Sequence, residues 1–211
     1  MYQHLGMRAE GEQELRDLAE KKPINREIYT VLRRLAKKFD RGGQALTEEA
    51  SGGADRYWEF ALMTYDCLYN ISCSSPGDPE NCDLAQLAMA RIYIDQDKLG
   101  KAERVYQDIL KRNSLSADAV YNLGNLYEKK KDWEKALDTW RTFSDGVQTG
   151  TYHWFEARYK TAFALNKLGD VTKACDVLNI TLVLHPDLGS DEMKSKYQTL
   201  RKNICKEELP L

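Results

Sequence analysis

Several things are scarce in this chain, and each scarcity removes a class of function. Positive charge is not in excess: 31 lysines and arginines face 33 aspartates and glutamates in 211 residues, a formal net charge of −2. A strongly basic nucleic-acid binder needs surplus cations to displace phosphate counterions, so no nucleic-acid partner is expected. No run of about 18 apolar residues occurs, so no membrane span is expected. The opening residues MYQHLGMRAEGEQEL carry neither the basic start nor the apolar core of a secretory signal. Prolines number 5 and glycines 13, and the glycines fall mostly between helical segments, which points to an all-α chain. The histidines His4, His153 and His185 are scattered. No C-x-x-C pair, phosphate loop, nucleophile elbow or zinc spacing is present, and the carboxylates read as charged helix faces. No catalytic residue, metal ligand or cofactor is assigned, and a non-enzymatic protein is expected.

What is present is ordinary for a soluble folded chain: 42% hydrophobic and 30% charged residues. Five cysteines make an odd set. Cys73 and Cys82 bracket the turn-rich loop SSPGDPEN, where a disulfide would close a short surface loop. Cys67, Cys175 and Cys205 read as small apolar core residues. Asn70-Ile71-Ser72 and Asn179-Ile180-Thr181 match the glycosylation acceptor pattern, a tripeptide common by chance.

Along the chain, the first twenty residues form a charged segment with Leu15 and Leu18 as its apolar contacts. Pro23 and Asn25 mark the next helix start. Ile28, Leu32, Leu35 and Phe39 then recur on one helical face, which Gly42 and Gly43 end. RGGQALTEEASGG reads as a loop. Beyond it, YWEFALMTYDCLYNI is apolar on more than half its circumference, as a helix buried between neighbours would be. The two helices make a degenerate pair, and the softest boundary falls in the loop from Ser72 to Cys82.

From Asp83 the pattern is strict. Ala90, Tyr93, Ala102, Tyr106 and Ile109 are followed 34 residues later by Gly124, Tyr127, Ala136, Trp140 and Phe143, each of the same size class. A bare helical period does not dictate where small residues fall, so five matches at one offset indicate tandem repetition. A third copy follows 38 residues on, with Ala162, Leu165, Ala174 and Leu178 in place. Its extra residues fit in SDGVQTGTYH, where Gly146 and Gly150 permit a longer turn. The expected organisation is an N-terminal helical region at 1–82, three repeats at 83–116, 117–150 and 155–188 within 83–189, and a capping helix at 190–211. In the last, Ser190 caps the start, and Met193, Tyr197, Leu200 and Ile204 share a face with no successor to cover.

The middle copy, VYNLGNLYEKKKDWEKAL, resembles the tetratricopeptide repeat at Val120, Leu123, Gly124, Tyr127, Ala136 and Trp140. The first copy places Gln86, Met89, Ala90, Tyr93, Ala102 and Tyr106 there. The last keeps Ala162, Leu165, Gly169, Ala174, Leu178 and Pro186, while Arg158 and Thr161 depart from the apolar pattern. The resemblance covers residues 83–186. It implies a right-handed superhelical solenoid of antiparallel helix pairs, whose first helices line a concave groove for a peptide or protein segment. By analogy the partner-binding positions are Leu87, Arg91, Ile94 and Asp95 from the first copy. The second supplies Tyr121, Asn122, Asn125, Glu128 and Lys129, and the third Tyr159, Lys160, Phe163 and Lys167. Arg91 with Lys160 would attract a carboxylate. The family's C-terminal carboxylate clamp is incomplete here. Asn122 and Lys160 match it, but Leu87 stands where a lysine belongs and Arg91 replaces an asparagine, so no strong preference for an EEVD-like tail is expected.

Two functions follow. One is an adaptor that holds a protein or peptide in the groove. The other is a structural assembly module, in which the N-terminal helices or the cap pair with another copy or pack within a larger polypeptide.

Overall fold

The computed structural model describes Gln13, Asp17 and residues 26–48, 54–74 and 79–205. Among these there is no strand. The helices are α1 Arg26–Glu48, α2 Ala54–Ser74, α3 Pro79–Asp95, α4 Leu99–Arg112, α5 Ala117–Lys130, α6 Trp133–Gly146, α7 Tyr152–Lys167, α8 Val171–Leu184 and α9 Asp191–Ile204. The expectations for Leu15, Leu18, Pro23 and Asn25 lie outside the described residues. Two compact units, residues 1–105 and 106–211, divide within α4.

Turn chemistry repeats as regularly as the small residues do. Asp97, Lys131 and Gly169 all have positive φ, at 56°, 59° and 86°. In each turn the next residue's amide reaches back to a carbonyl: Lys98 to Tyr93, Asp132 to Tyr127 and Asp170 to Leu165. This is the left-handed closure that satisfies the last carbonyls of a helix. The following helix is then capped from its own first turn. Asp132 accepts from the amide of Lys135, and Asp170 from that of Lys173. The basic run Lys129, Lys130 and Lys131 is exposed in one such turn.

In the first unit α1 packs on α2 and α2 on α3. Leu32, Ala36, Trp58, Ala61, Leu68, Ala85 and Ile92 form the buried core. Gly42 and Gly43 do not end α1, which continues to Glu48. A Cβ on Gly42 would lie 2.4 Å from the Tyr57 ring, and one on Gly43 2.4 Å from the Trp58 indole. These glycines therefore serve close approach of α2's rings, and RGGQALTE is helix rather than loop. Residues 49–53 lie outside the described set. The expected soft boundary at Ser72–Cys82 falls inside this unit, where Cys73 and Cys82 are bonded with their Cα atoms 5.2 Å apart.

Tyr65 is 6% exposed. Burial first, and the nearby Asp40 carboxylate second, push its hydroxyl up to about 12 against the opposing influence of Arg91 and Arg33. The folded chain thus holds this proton more tightly than the unfolded chain. The resulting stability is intact below pH 10 and is lost as pH rises toward 12. Urea titrations at pH 9 and pH 11.5 should show the parent losing about 1–2 kcal/mol more than Tyr65→Phe. Equal losses would refute this.

In the second unit α5 packs on α6, α6 on α7, α7 on α8, and α9 on both α7 and α8. Gly124 and Ala162 are buried, as their size class requires. Ser190 accepts from the amide of Met193, and Met193 and Tyr197 of α9 are fully buried. The Tyr197 hydroxyl, its pKa raised chiefly by burial, donates to the carbonyl of Phe155 at 2.7 Å. Cys175 and Cys205 are not isolated core residues: they are bonded, Cα–Cα 5.7 Å, because α9 folds back along α8. Cys67 is buried and takes part in neither disulfide. The Asn179 acceptor pattern is closed by the fold, since Asn179 accepts from Arg201 at 2.6 Å and Thr181 is fully buried.

Candidate functional site

Alternation of first and second helices puts α5 and α7 on the same side of α6, and their facing side chains meet. At the centre is Glu128. One of its oxygens accepts from the Trp140 indole at 2.7 Å, the other from Lys160 at 2.7 Å. Lys160 also reaches the Asn125 carbonyl oxygen at 3.4 Å and lies 5.4 Å over the Trp140 ring. One turn earlier on each helix, the Tyr121 hydroxyl donates to Glu156 at 3.2 Å. Burial and then the Glu156 charge raise the Tyr121 pKa. Asn122 donates to the carbonyl of Asp118 at 2.8 Å, a bond within its own helix.

Toward the other end the face becomes aromatic. Tyr159 and Phe163 stack with ring centroids 6.4 Å apart, and Phe163 meets Trp133 edge-on at 5.8 Å. Lys167 covers this edge, 5.1 Å over Phe163 and 6.0 Å over Trp133. Tyr121, Asn122, Asn125, Tyr159, Lys160 and Phe163 are each half-buried, and Lys129 is exposed.

Leu87, Arg91 and Ile94 lie on α3 in the first unit, each half-buried. Arg91 is ion-paired with Asp40 of α1 and, at 3.2 Å, with Asp95. Arg91 and Lys160, the cations expected to attract an incoming carboxylate, both already hold carboxylates of this chain. Breaking a part-buried pair leaves a desolvated charge behind, which opposes such exchange.

Three contributors escaped the sequence reading. Glu156 had a local signal, its i,i+4 spacing with Lys160 on α7. Trp133 opens α6 and was hidden by its place in a charged turn. Asp40 had none, being 51 residues from Arg91. Among the described residues no group of three His, Cys, Asp or Glu side chains could hold a metal, and no helix is long and apolar enough to cross a membrane.

Comparison with known proteins agrees with this architecture. Tetratricopeptide repeat family models match residues 87–141 and 156–187. The regulatory protein RapD of Bacillus subtilis (strain 168) is 28% identical over 134 residues, 59% of this chain. The chain spans only 38% of that relative's length. Among solved structures, the apo form of RapI aligns with a TM-score of 0.61 at 13% identity, over 94% of this chain and 76% of that one. A Podosopora anserina kinesin-light-chain-like protein with nearly identical TPR-like repeats gives 0.59 at 12% identity, over 83% and 90%. MamA of AMB-1 gives 0.50 at 14% identity, over 80% and 81%. At these identities the structural likenesses establish the fold alone.

Proposed function

We propose that this chain, a tetratricopeptide repeat protein by the matches at residues 87–141 and 156–187, is an adaptor that holds an extended, weakly charged peptide segment on the α5–α7 face. One observation carries the reading. The central charges of that face, Lys160 and Glu128, neutralise each other, while the amides of Asn122 and Asn125 and the rings of Tyr159 and Phe163 stay half-exposed. Amides hydrogen-bond a peptide backbone without choosing its side chains. Rings choose apolar ones. An acidic tail has no open cation at the centre of this face to meet. Peptides selected from a random display library should bind with an affinity that falls tenfold or more in Asn122→Ala/Asn125→Ala and in Phe163→Ala, with the helical circular-dichroism spectrum retained in both although Phe163→Ala melts earlier for the ring packing it loses. Undiminished binding in both variants would remove the groove reading.

A second reading, self-assembly, is favoured by the outer face of α8. Ile180, Val183 and Leu184 are 52%, 67% and 66% exposed there. Light scattering decides it: a mass that rises with concentration and returns to monomer in Val183→Asp supports assembly, and a constant monomer dismisses it.

A further inference from the structure

Helix α1 carries a second surface that the groove does not explain. Between Thr30 and Ala45 the sequence has five cations, Arg33, Arg34, Lys37, Lys38 and Arg41, and one carboxylate, Asp40. In a chain of net charge −2 that concentration is local, not a reflection of composition. The helical period divides the segment cleanly. Leu32 and Ala36 are fully buried on the core side. Arg34, Lys37, Lys38 and Arg41, spaced i, i+3, i+4 and i+7, are all exposed on the opposite side. Asp40 does not neutralise them, because it turns inward to pair with Arg91 and keeps only 13% of its side chain exposed. None of the four exposed cations has an ion pair among the described residues, and together they line a shallow depression. Like charges at i,i+3 and i,i+4 repel and weaken the helix that carries them, so the chain alone gains nothing from this arrangement.

We propose that this face of α1 docks an acidic helical segment of a partner protein. The four cations span about 10 Å of helix axis, two turns, with the pitch of an α-helix. A helix laid alongside and bearing Glu or Asp at i, i+3, i+4 and i+7 presents its carboxylates at the same repeat, and the guanidinium groups of Arg34 and Arg41 can each grip one carboxylate by two parallel bonds. The other polyanions fit less well. A nucleic acid would gain release of only about four counterions while approaching a chain of net negative charge. An anionic membrane surface needs apolar side chains to insert beside the cations, and on this side of α1 Val31 is the exposed large apolar residue among those described.

The test uses the full chain and fluorescently labelled probes in fluorescence anisotropy at low salt. The main probe is an alanine-based helical peptide with glutamates on one face. Its scrambled isomer has the same glutamates spread around the circumference. The one-face peptide should bind at least fivefold tighter than the scrambled one, weaken steeply with salt, and lose tenfold or more in Arg34→Glu/Lys38→Glu. The circular-dichroism melt of that variant should be no lower than the parent's, since both side chains are solvent-facing and the change relieves repulsion along α1. Equal binding of the two peptides, no binding of either, or tighter binding of a single-stranded oligonucleotide or of phosphatidylserine vesicles would each overturn the proposal.

Discussion

Trp140→Ala should lower the unfolding free energy by about 3–5 kcal/mol, the range for deleting a large buried aromatic side chain. Trp140 is fully buried. Its ring meets Tyr121 at 5.5 Å and Phe143 at 6.0 Å. Across the cavity left behind, Gly124 of α5 offers no side chain to fill it. A Cβ there would already lie 2.8 Å from the indole, so the α5 backbone itself is the wall. Polar losses add to the apolar one: Glu128 forfeits the indole donor at 2.7 Å, and Lys160 the ring beneath it. Trp140→Phe separates the contributions, since it keeps most of the packing but no N–H. It should cost about 2–3 kcal/mol, the worth of a hydrogen bond to a charged acceptor plus a small void. Urea unfolding followed by circular dichroism measures both. A loss under about 1.5 kcal/mol for the alanine variant would mean that α5 and α6 collapse onto the vacancy and that Gly124 is not a rigid wall.

That Gly124 is a small and Trp140 a large packing position was legible from size class alone, because Ala90 and Tyr106 stand 34 residues earlier; that the two face each other was not. The cap at Ser190 was equally local, the residue before its helix; Asp132 and Asp170 hold the same place before theirs and were not singled out. Gly42 and Gly43 show where local reading fails. A glycine that terminates a helix and a glycine that admits a neighbouring ring look identical in sequence, and only the approach of Tyr57 and Trp58 distinguishes them. The candidate site was legible as a set of positions but not as a network. Lys160 meets Glu128 across 32 residues, and Arg91 meets Asp40 across 51. Such pairings depend on the register of whole helices, which loop lengths and core packing fix. For the same reason the sequence named cations able to attract a carboxylate, and the fold had already supplied one to each.

Removing the bridge between Cys175 and Cys205 should lower the stability of the second unit by about 3–4 kcal/mol, the loop-closure entropy restored to an unfolded chain cross-linked over 30 residues. The bridge ties α9, the last helix, to α8. Without it α9 is held by the burial of Met193, Tyr197 and Leu200, by the Tyr197 bond to Phe155 and by the Arg201 bond to Asn179. Those contacts should keep the variant Cys175→Ser/Cys205→Ser folded at room temperature but with an earlier denaturation midpoint. Reductant should reproduce the shift in the parent and have no effect on the same region of the variant. The Cys73–Cys82 bridge closes only 9 residues in the other unit and should contribute about 2–3 kcal/mol. A Cys73→Ala/Cys82→Ala variant therefore retains the α9 response and isolates it. Mass spectrometry supplies the independent check. Alkylation of the denatured, unreduced chain should add a single group, at Cys67, and alkylation after reduction should add five, one for each cysteine. Three groups without reduction would mean that one of the two bridges is absent. An unchanged midpoint in reductant would mean that α9 stays docked by packing alone.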